Sequence, residues 1–352
     1  MPRDINRPAL YLTGYKLNND WEVKERLATI DNIENESFAI TYKVEKEGKT
    51  AVLKALDFSI ALIDEEPIAA IKNLTEKYNF EKELLELCLD NKLENVVKIL
   101  DNGLIRPLAG GVIPVPYFIL EYSAEDVKSQ IKIDSYLNLA WLLKILHNVT
   151  KGLFQLHRLN VSHKNLKPEH VKAFSADLYK LSELGNAERR GANTPHPEYF
   201  SNADPAYMTP ESLYGYVEND WIFRGQATDL YHLGSLIFFL FTQTTTNVWL
   251  RFYLDETHNW NNWGGTYDEV LPYLLEAFDK TVEHFRAYVE DKEIQSKLEI
   301  ILRSLCHPNP KERGHSRNPS AGKFGPLALE KYLSDFDLFR KKALLNLAKL
   351  GK

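Results

Sequence analysis

The sequence predicts an α+β fold of two lobes, a small lobe rich in β-strands followed by a larger, mostly helical lobe. Two observations lead to this prediction. Before Tyr122, apolar residues recur at alternate positions within short runs, which is the spacing that strands produce. After Tyr122, apolar residues recur at the spacing of amphipathic helices almost to the end of the chain.

The small lobe is predicted to be an antiparallel meander that carries one main helix over residues 79–91. Glu47-Gly48-Lys49 supplies a turn between the second and third strands. The predicted strands cover residues 21–27, 38–44, 50–54, 96–99 and 117–122. We assign residues 21–122 to this lobe and residues 1–20 to an N-terminal extension.

The large lobe is assigned to residues 123–326, and residues 327–352 are expected to contain a C-terminal helix that packs on it. The predicted helices cover residues 137–157, 227–241, 270–289, 294–306 and 327–348. The aromatic stretch that runs from Trp249 to Gly265 has two interpretations, core packing of this lobe or an exposed docking surface.

Composition argues against several classes of partner. Lys and Arg number 43 against 49 Asp and Glu, a formal net charge of -6, so neither nucleic acid nor a membrane is expected as a partner. Cys88 and Cys306 both lie in apolar helical patterns, which does not suit a disulfide scaffold or a zinc site. The longest apolar run, Leu233 to Phe241, is too short to span a bilayer. A cytoplasmic location fits these features.

One stretch carries more functional information than any other, His163-Lys164-Asn165-Leu166-Lys167-Pro168-Glu169-His170. It resembles the catalytic loop of protein kinases, H-R-D-L-K-P-x-N. Further motifs of that family follow the same order along the chain. They are Ala51-Val52-Leu53-Lys54, Phe80-Glu81-Lys82-Glu83, Leu120-Glu121-Tyr122, Lys180-Leu181-Ser182-Glu183-Leu184-Gly185, Thr209-Pro210-Glu211, Asp229-Leu230-Tyr231-His232-Leu233-Gly234 and Pro308-Asn309-Pro310-Lys311-Glu312-Arg313.

The chain therefore resembles the protein kinase superfamily, and within it a bacterial serine/threonine branch, as a degenerate member similar to a pseudokinase. The resemblance implies a two-lobed kinase-like fold. Residues that would hold the large lobe together are retained, namely His163, Glu211, Asp229, Gly234 and Arg313. The resemblance also implies that Lys54 pairs with a glutamate of the following helix. We assign Glu83, with Glu81 and Glu86 as alternatives one turn or less away.

The residues that would touch phosphate and metal are altered. Asn165 stands where the family keeps its catalytic carboxylate, and a neutral amide does not accept a proton at neutral pH. His170 replaces an asparagine that holds magnesium, while Glu183 replaces the aspartate of D-F-G and keeps its charge. Lys167 is retained. Lys164 replaces an arginine, so switching by phosphorylation at Thr194, Ser201 or Thr209 is not expected.

The phosphate-binding turn is also missing from the first hairpin. No glycine occurs between Gly14 and Gly48, and Glu34, Glu36 and Ala39 occupy the glycine positions in the register that we favour. If ATP binds with magnesium, we expect low affinity, with Lys54, Glu83, Glu121 and Ser123 around the nucleotide and Glu183 on the metal. No cofactor is required by the reading that we prefer.

Two functions follow from the resemblance. The preferred one is a pseudokinase that acts as a regulatory or scaffolding protein by binding another protein. The alternative is an atypical ATP-dependent transferase or kinase that uses Lys54, Glu83, Lys167 and Glu183.

Overall fold

A computed structural model describes residues 7–27, 39–106, 113–133, 138–192, 204–315 and 322–350. The chain divides into two compact units, Met1–Ala124 and Glu125–Lys352. The first contains an antiparallel sheet with one long helix, and the second is mostly helical. The predicted α+β fold class is thereby confirmed.

The first unit is built on a five-stranded antiparallel sheet with strand order β1-β2-β3-β5-β4. The β2–β3 connection is a two-residue turn, and its residues Glu47 and Gly48 both have positive φ angles, +49° and +76°. Such a turn matches the twist of a hairpin, and glycine adopts it at no steric cost. The strands are β1 (Glu22–Arg26), β2 (Ala39–Lys46), β3 (Lys49–Leu56), β4 (Ile99–Ile105) and β5 (Val115–Glu121).

The chain before β1 is part of the core of this unit. Ala9, Leu12 and Leu17 are buried in one apolar cluster with the inward side chains of the sheet. Tyr42 of β2 fixes this segment, because its buried hydroxyl donates a hydrogen bond to the Ala9 carbonyl over 2.7 Å. Residues 7–20 therefore fold with the sheet and do not extend away from it.

The long helix α1 (Pro67–Asp90) begins twelve residues before the predicted start at residue 79. Pro67 occupies the first turn, where its missing N–H costs nothing. The early turns carry Ile68 and Ile71 on the surface, so no core-facing periodicity reveals them in the sequence. Strand β4 was likewise predicted too early, because Asp101-Asn102-Gly103 resembles a turn. Gly103 stays in the strand because the Tyr117 ring covers the space a side chain would need.

The second unit is organised around α5, which is buried along most of its length. Its helices are α2 (Val127–Ile133), α3 (Leu139–Arg158), α4 (Pro210–Leu213), α5 (Ala227–Thr242), α6 (Thr246–Tyr253), α7 (Tyr267–Phe285), α8 (Lys292–Leu305) and α9 (Glu330–Leu350). Short strands complete it, β6 (Glu125–Asp126), β7 (Val161–Ser162), β8 (Val171–Ser175), β9 (Leu178–Leu181) and β10 (Glu188–Arg189). In the part of the chain that the structure describes, no helix is both long and apolar enough to cross a membrane.

Local sequence signals fix the ends of several helices. Asn138 caps α3 by accepting a hydrogen bond from the Ala140 amide, and Asp291 caps α8 in the same way. Thr266 and Glu269 form a reciprocal capping box at the start of α7. The C-terminal helix α9 packs along α3.

The aromatic stretch after α5 combines both interpretations given above. In α6, Leu250 is fully buried, and the half-buried Trp249 stacks on His284 of α7 with ring centroids 3.5 Å apart. Phe252, in contrast, is 70% exposed. Trp249 and Leu250 thus pack α6 into the unit, whereas the Phe252 ring remains on the surface.

Candidate functional site

The catalytic-loop segment is fixed by one fully buried carboxylate, that of Asp229 in α5. Its oxygens accept hydrogen bonds from the backbone N–H groups of His163 (2.8 Å) and Lys164 (2.7 Å). His157 at the end of α3 contacts the same carboxylate over 2.8 Å. Burial raises the pKa of Asp229, but these contacts outweigh it and leave the pKa below its ordinary value. The carboxylate therefore stays charged and holds the loop.

Two of the anchored residues serve backbone geometry rather than chemistry. Lys164 has a φ angle of +57°, a conformation that non-glycine residues rarely adopt. Nε2 of His163 donates to the Ser182 carbonyl (2.9 Å), and its Nδ1 accepts from the Asn165 amide (3.2 Å). One ring nitrogen thus donates and the other accepts, as in a neutral imidazole. Burial lowers the pKa of His163, in agreement with that neutral form.

Asn165 and His170 lie together, five residues apart along the loop. His170 Nδ1 donates a hydrogen bond to the Asn165 carbonyl over 2.6 Å. Burial lowers the pKa of His170 to about 4, so its ring is neutral at neutral pH. The Asn165 amide accepts no proton, and Nδ1 of His170 is bonded to the backbone of the same loop. Neither residue supplies a general base of the family's kind.

Glu183 directly follows Ser182, a residue held in place by hydrogen bonds. Ser182 donates two hydrogen bonds to the His170 carbonyl, from its amide (2.9 Å) and from its hydroxyl (3.0 Å). Glu183 itself has φ +64° and ψ +62°, the left-handed region. Such a conformation costs about 1 kcal/mol for a residue other than glycine, so the surrounding hydrogen bonds must hold it. The carboxylate is close enough to His170 and His163 to raise the pKa of both rings against the effect of burial.

Protein kinases use ATP with magnesium, and the two residues assigned to that metal by resemblance, Glu183 and His170, both lie among the described residues. Glu183 supplies one hard oxygen ligand, but at the second position His170 offers a ring nitrogen, which suits magnesium less well than an oxygen does. Over residues 7–27, 39–106, 113–133, 138–192, 204–315 and 322–350, no group of three His, Cys, Asp or Glu side chains is placed to hold a metal ion. The buried thiols of Cys88 and Cys306 are free, and burial raises the pKa of each to about 12.

Lys167 is retained from the family pattern and contacts an aromatic ring. Its Nζ lies 5.1 Å from the centroid of the Tyr207 ring, within the range of a cation–π interaction. Thr209, two residues further on, is 2% exposed, and its hydroxyl is 2.9 Å from that of Ser212. A kinase cannot reach a hydroxyl in that position without unfolding the start of α4. Thr194 and Ser201 lie outside the described residues.

In the first unit, Lys54 pairs with Glu81 and not with Glu83, the residue that we assigned. Lys54 Nζ is 2.8 Å from Glu81 Oε1, and both side chains are nearly buried. Glu83 is exposed, because residues two positions apart point about 200° apart around a helix. Helical spacing could have identified Glu81 as the partner, because it lies on the buried face of α1. That face is formed by Phe80, Glu81, Leu84, Leu85 and Cys88.

Of the remaining predicted nucleotide residues, Glu121 makes structural contacts. Glu121 Oε2 accepts a hydrogen bond from the Lys98 amide over 3.1 Å, and its own amide donates to the Lys98 carbonyl. Ser123 is half-buried. Ala39 is the first residue of β2, whereas Glu34 and Glu36 lie outside the described residues.

Sequence reasoning missed a second charged cluster beside the catalytic-loop segment. Glu188 of β10 lies between Lys164 and Arg224, with contacts of 2.8 Å and 2.6 Å. Its position, five residues after Glu183, carries no motif that would have singled it out. Arg224 belongs to a π-helical turn, Ile222–Gln226, which precedes α5.

In the second unit Glu211 pairs with Arg313, and both belong to the retained framework residues named in the sequence analysis. The guanidinium forms a two-pronged contact with the carboxylate, Nη1 to Oε1 at 2.8 Å and Nη2 to Oε2 at 2.5 Å. Its remaining donors reach the carbonyls of Ala227, His307 and Pro308. Arg313 is 1% exposed, so this fully bonded charge is a framework element.

Fold, motif order and framework contacts together define a kinase-like protein, and comparison with known proteins agrees. The family model described as the protein kinase domain matches residues 63–319, well over half of the chain. The chain belongs to the protein kinase family. The match begins after the strand that carries Lys54 and after the hairpin that lacks glycine.

Individual relatives are more distant and are matched only in part. The chain is 25% identical over 124 residues to human serine/threonine-protein kinase MAK, which covers 34% of this chain and 20% of that protein. It is 30% identical over 98 residues to rat serine/threonine-protein kinase ICK, 28% of this chain and 15% of that protein. A probable serine/threonine-protein kinase of Clostridium acetobutylicum is 24% identical over 209 residues, 56% of this chain and 29% of that protein. The chain thus covers less than a third of each relative.

Proposed function

We propose that this protein is a pseudokinase, a member of the protein kinase family that transfers no phosphate and acts by binding another protein. One observation carries the proposal. Asn165 stands at the position of the catalytic carboxylate, and His170 at the magnesium position donates a hydrogen bond to its carbonyl. The His170 ring thus makes a neutral, structural contact with the backbone of the residue that replaces the catalytic carboxylate.

The intact framework supports the same proposal. The Asp229 contacts and the Glu211–Arg313 pair stabilise the large unit by hydrogen bonds that need no nucleotide. Lys54 and Glu81 likewise satisfy each other within the first unit. A chain that had lost all selection for folding would not keep buried charges paired, because an unpaired buried charge costs about 3–5 kcal/mol.

Exposed apolar side chains support the protein-binding half of the proposal. Ile63 and Ile68, on either side of the start of α1, are each 86% exposed. Burial of such side chains in a partner is favourable by about 1.5–3 kcal/mol each. Regulation or scaffolding of a second protein is the role that these features suit.

The catalytic half is tested by incubating the purified full chain with ATP and magnesium or manganese, with and without a generic protein substrate. We expect no phosphate incorporation above a no-enzyme blank. Incorporation that Lys54→Ala and Asn165→Ala both abolish would contradict the proposal, since it would require the kinase site. Glu83→Ala serves as a control, because Glu83 is exposed and outside the Lys54 pair.

The binding half is tested by purifying the chain from its native cells at its natural level. Size-exclusion chromatography with mass spectrometry should find a second protein at a fixed ratio. A chain that elutes alone at monomer mass at every salt concentration would contradict this half and leave the catalytic half untouched.

The alternative, an ATP-dependent transferase, is favoured by the Lys54–Glu81 pair and by the charge retained at Glu183. It requires nucleotide binding. A thermal-shift titration with millimolar ATP and a divalent ion separates the two functions. A rise in melting temperature that disappears in Glu183→Ala would support the alternative, and no rise is expected for the pseudokinase.

A further inference from the structure

Three charged side chains from three elements of the second unit meet beside the catalytic-loop segment. Lys164 Nζ is 2.8 Å from Glu188 Oε2, and Arg224 Nη2 is 2.6 Å from Glu188 Oε1. Arg224 Nε also donates to the same carboxylate, over 3.2 Å. Each oxygen of Glu188 therefore faces a cation. We call these residues the Glu188 cluster.

Each member of the Glu188 cluster is also held by contacts outside the cluster. Glu188 pairs with Ser162 of β7, and two residues later the Arg190 amide donates to the Asn160 carbonyl over 2.9 Å. Lys164 is held by Asp229, as described above. Arg224 also donates to the carbonyls of the residues at 218 and 219. The carboxylate thus ties the strand after Glu183 both to the catalytic loop and to the turn before α5.

The cluster is nearly closed to solvent. The side chains of Glu188 and Lys164 are 6% and 11% exposed, and that of Arg224 is 26% exposed. Burial raises the pKa of Glu188, but Arg224 and Lys164 outweigh this effect and leave the pKa below its ordinary value. The group is therefore an anion throughout the neutral range, and both of its oxygens are already paired with a cation.

An anion between basic side chains is also how phosphorylation orders a segment. A phosphate adds charge and acceptor oxygens that lysine and arginine bind, and the segment becomes fixed only after modification. In this chain the anion is part of the sequence. A carboxylate carries less charge than a phosphate, but here it is buried against two cations and needs no enzyme to install it.

We propose that Glu188 is a built-in replacement for a regulatory phosphate, which fixes the strand after Glu183 permanently to the catalytic loop. The segment is then always in one conformation and does not respond to phosphorylation. The buried Thr209 hydroxyl, which no kinase reaches in the folded chain, agrees with this arrangement. The proposal holds whether or not the protein transfers phosphate, because it concerns the charge at Glu188 alone.

The experiment replaces the fixed anion with one from solution. Glu188→Ala should lower the melting temperature by roughly 5 °C or more, since the nearly buried Lys164 and the half-buried Arg224 both lose their partner. Inorganic phosphate at tens of millimolar should then raise the melting temperature of this variant by about 2–4 °C more than it raises that of the unaltered chain, at equal ionic strength. The double variant Glu188→Ala, Lys164→Ala should lose this extra rise, because half of the receptor is gone.

A matched control separates a specific anion site from a general salt effect. Asp177→Ala removes a carboxylate that is 81% exposed and paired with Lys144. It should melt near the unaltered chain and show no extra response to phosphate. Hydrogen exchange gives a second readout, in which the Arg190 amide should lose protection in Glu188→Ala and recover it in phosphate.

The melting temperature must depend on the charge at position 188 and not on the size of the side chain. Glu188→Gln keeps the shape and should melt several degrees below the unaltered chain, whereas Glu188→Asp should recover part of the loss. This pair also tests the proposal if Glu188→Ala does not fold. The proposal is wrong if Glu188→Gln has the same melting temperature as the unaltered chain. It is also wrong if phosphate stabilises a folded Glu188→Ala no more than it stabilises the unaltered chain.

Discussion

At the scale of single residues, the catalytic-loop segment is held mainly through its backbone. His170 donates a hydrogen bond to the Asn165 backbone carbonyl. Asp229 accepts hydrogen bonds from the backbone amides of His163 and Lys164. The geometry therefore depends on backbone acceptors and one buried carboxylate, none of which takes part in proton transfer. The conformation of such a loop does not depend on which side chain stands at position 165.

The Lys54–Glu81 pair gives a direct test at this scale. Lys54→Ala should lower the free energy of unfolding by about 3–5 kcal/mol, because it leaves the Glu81 carboxylate buried without its cation. Urea denaturation followed by circular dichroism measures the change. Glu83→Ala is the matched control on the same helix and should stay within about 0.5 kcal/mol of the unaltered chain.

The same pair can be replaced without a buried charge. Lys54→Met with Glu81→Leu should recover most of the loss seen in Lys54→Ala, since apolar side chains of similar volume often replace a buried ion pair at little cost. A loss for Glu83→Ala as large as for Lys54→Ala would show that the pairing described above is not the stabilising one.

His170 makes stability depend on pH in a known direction. Its pKa is about 4 in the folded protein and 6.5 in its ordinary state, so the unfolded chain binds a proton at higher pH. The contribution is complete above pH 6.5 and is lost as the pH falls toward 4. His170→Asn keeps a donor for the Asn165 carbonyl but does not titrate, so the fall of unfolding free energy over this range should become shallower.

Denaturation curves at a series of pH values measure that slope. Other buried histidines contribute in the same direction, and burial lowers the pKa of His232 to about 3. The control is therefore the difference between the two proteins and not the absolute slope. Equal slopes for His170→Asn and the unaltered chain would contradict the prediction.

At the scale of elements, close approach of α5 and α8 depends on Gly234. A side chain at this position would meet Cys306 Sγ and the Leu305 side chain. Gly234→Ala should therefore cost about 1–3 kcal/mol through overpacking, even though alanine favours helices. Thermal denaturation measures it. Gly264→Ala is the control, since Gly264 lies in a loop with open space around it and should change stability by less than about 0.5 kcal/mol.

How far the sequence predicts the elements depends on which residues face the core. Strands β2 and β3 were predicted because their buried positions alternate, and α8 because its buried face repeats with helical spacing. The first turns of α1 were missed, since their isoleucines are exposed and give no such pattern. Tertiary packing under Tyr117, and not local preference, keeps Gly103 within β4.

The candidate site likewise contains residues that the sequence identifies and residues that it does not. Asn165, His170 and Glu183 were found because motif order along the chain identifies them. The prediction placed the partner of Lys54 two residues too far along α1, because motif spacing alone does not say which glutamate of the helix faces the core. Glu188 and Arg224 were missed altogether, since their meeting with Lys164 depends on β10 and on a π-helical turn that no sequence pattern marks.

At the scale of the whole molecule, the framework contacts are present, while the residues at the positions that handle phosphate and metal differ from the family pattern. Hydrogen bonds and ion pairs that hold the second unit are complete around Asp229 and Arg313, and the altered residues are those that would act on phosphate or metal. Loss of a phosphate-handling group costs activity only, whereas loss of a buried charged partner costs the fold. Selection for a folded binding surface would preserve the second set and release the first.

Arg313 tests this argument, because it joins parts of the second unit that are distant in sequence. Its guanidinium contacts Glu211 of α4 and the carbonyls of Ala227, His307 and Pro308. Lysine keeps the charge but cannot form the two-pronged contact or reach all of these acceptors. Arg313→Lys should therefore lower the melting temperature by roughly 5–10 °C, equivalent to about 3 kcal/mol.

Arg303→Lys is the matched control for this substitution. Arg303 is 36% exposed at its side chain and contacts Glu299 and Asp279 near the surface, where a lysine can still pair. It should melt within about 2 °C of the unaltered chain. If both variants melt alike, the Arg313 contacts are not what holds the second unit together. If only Arg313→Lys is destabilised, and ATP with magnesium does not restore it, the framework is stabilised from within the chain and independently of the family's cofactor.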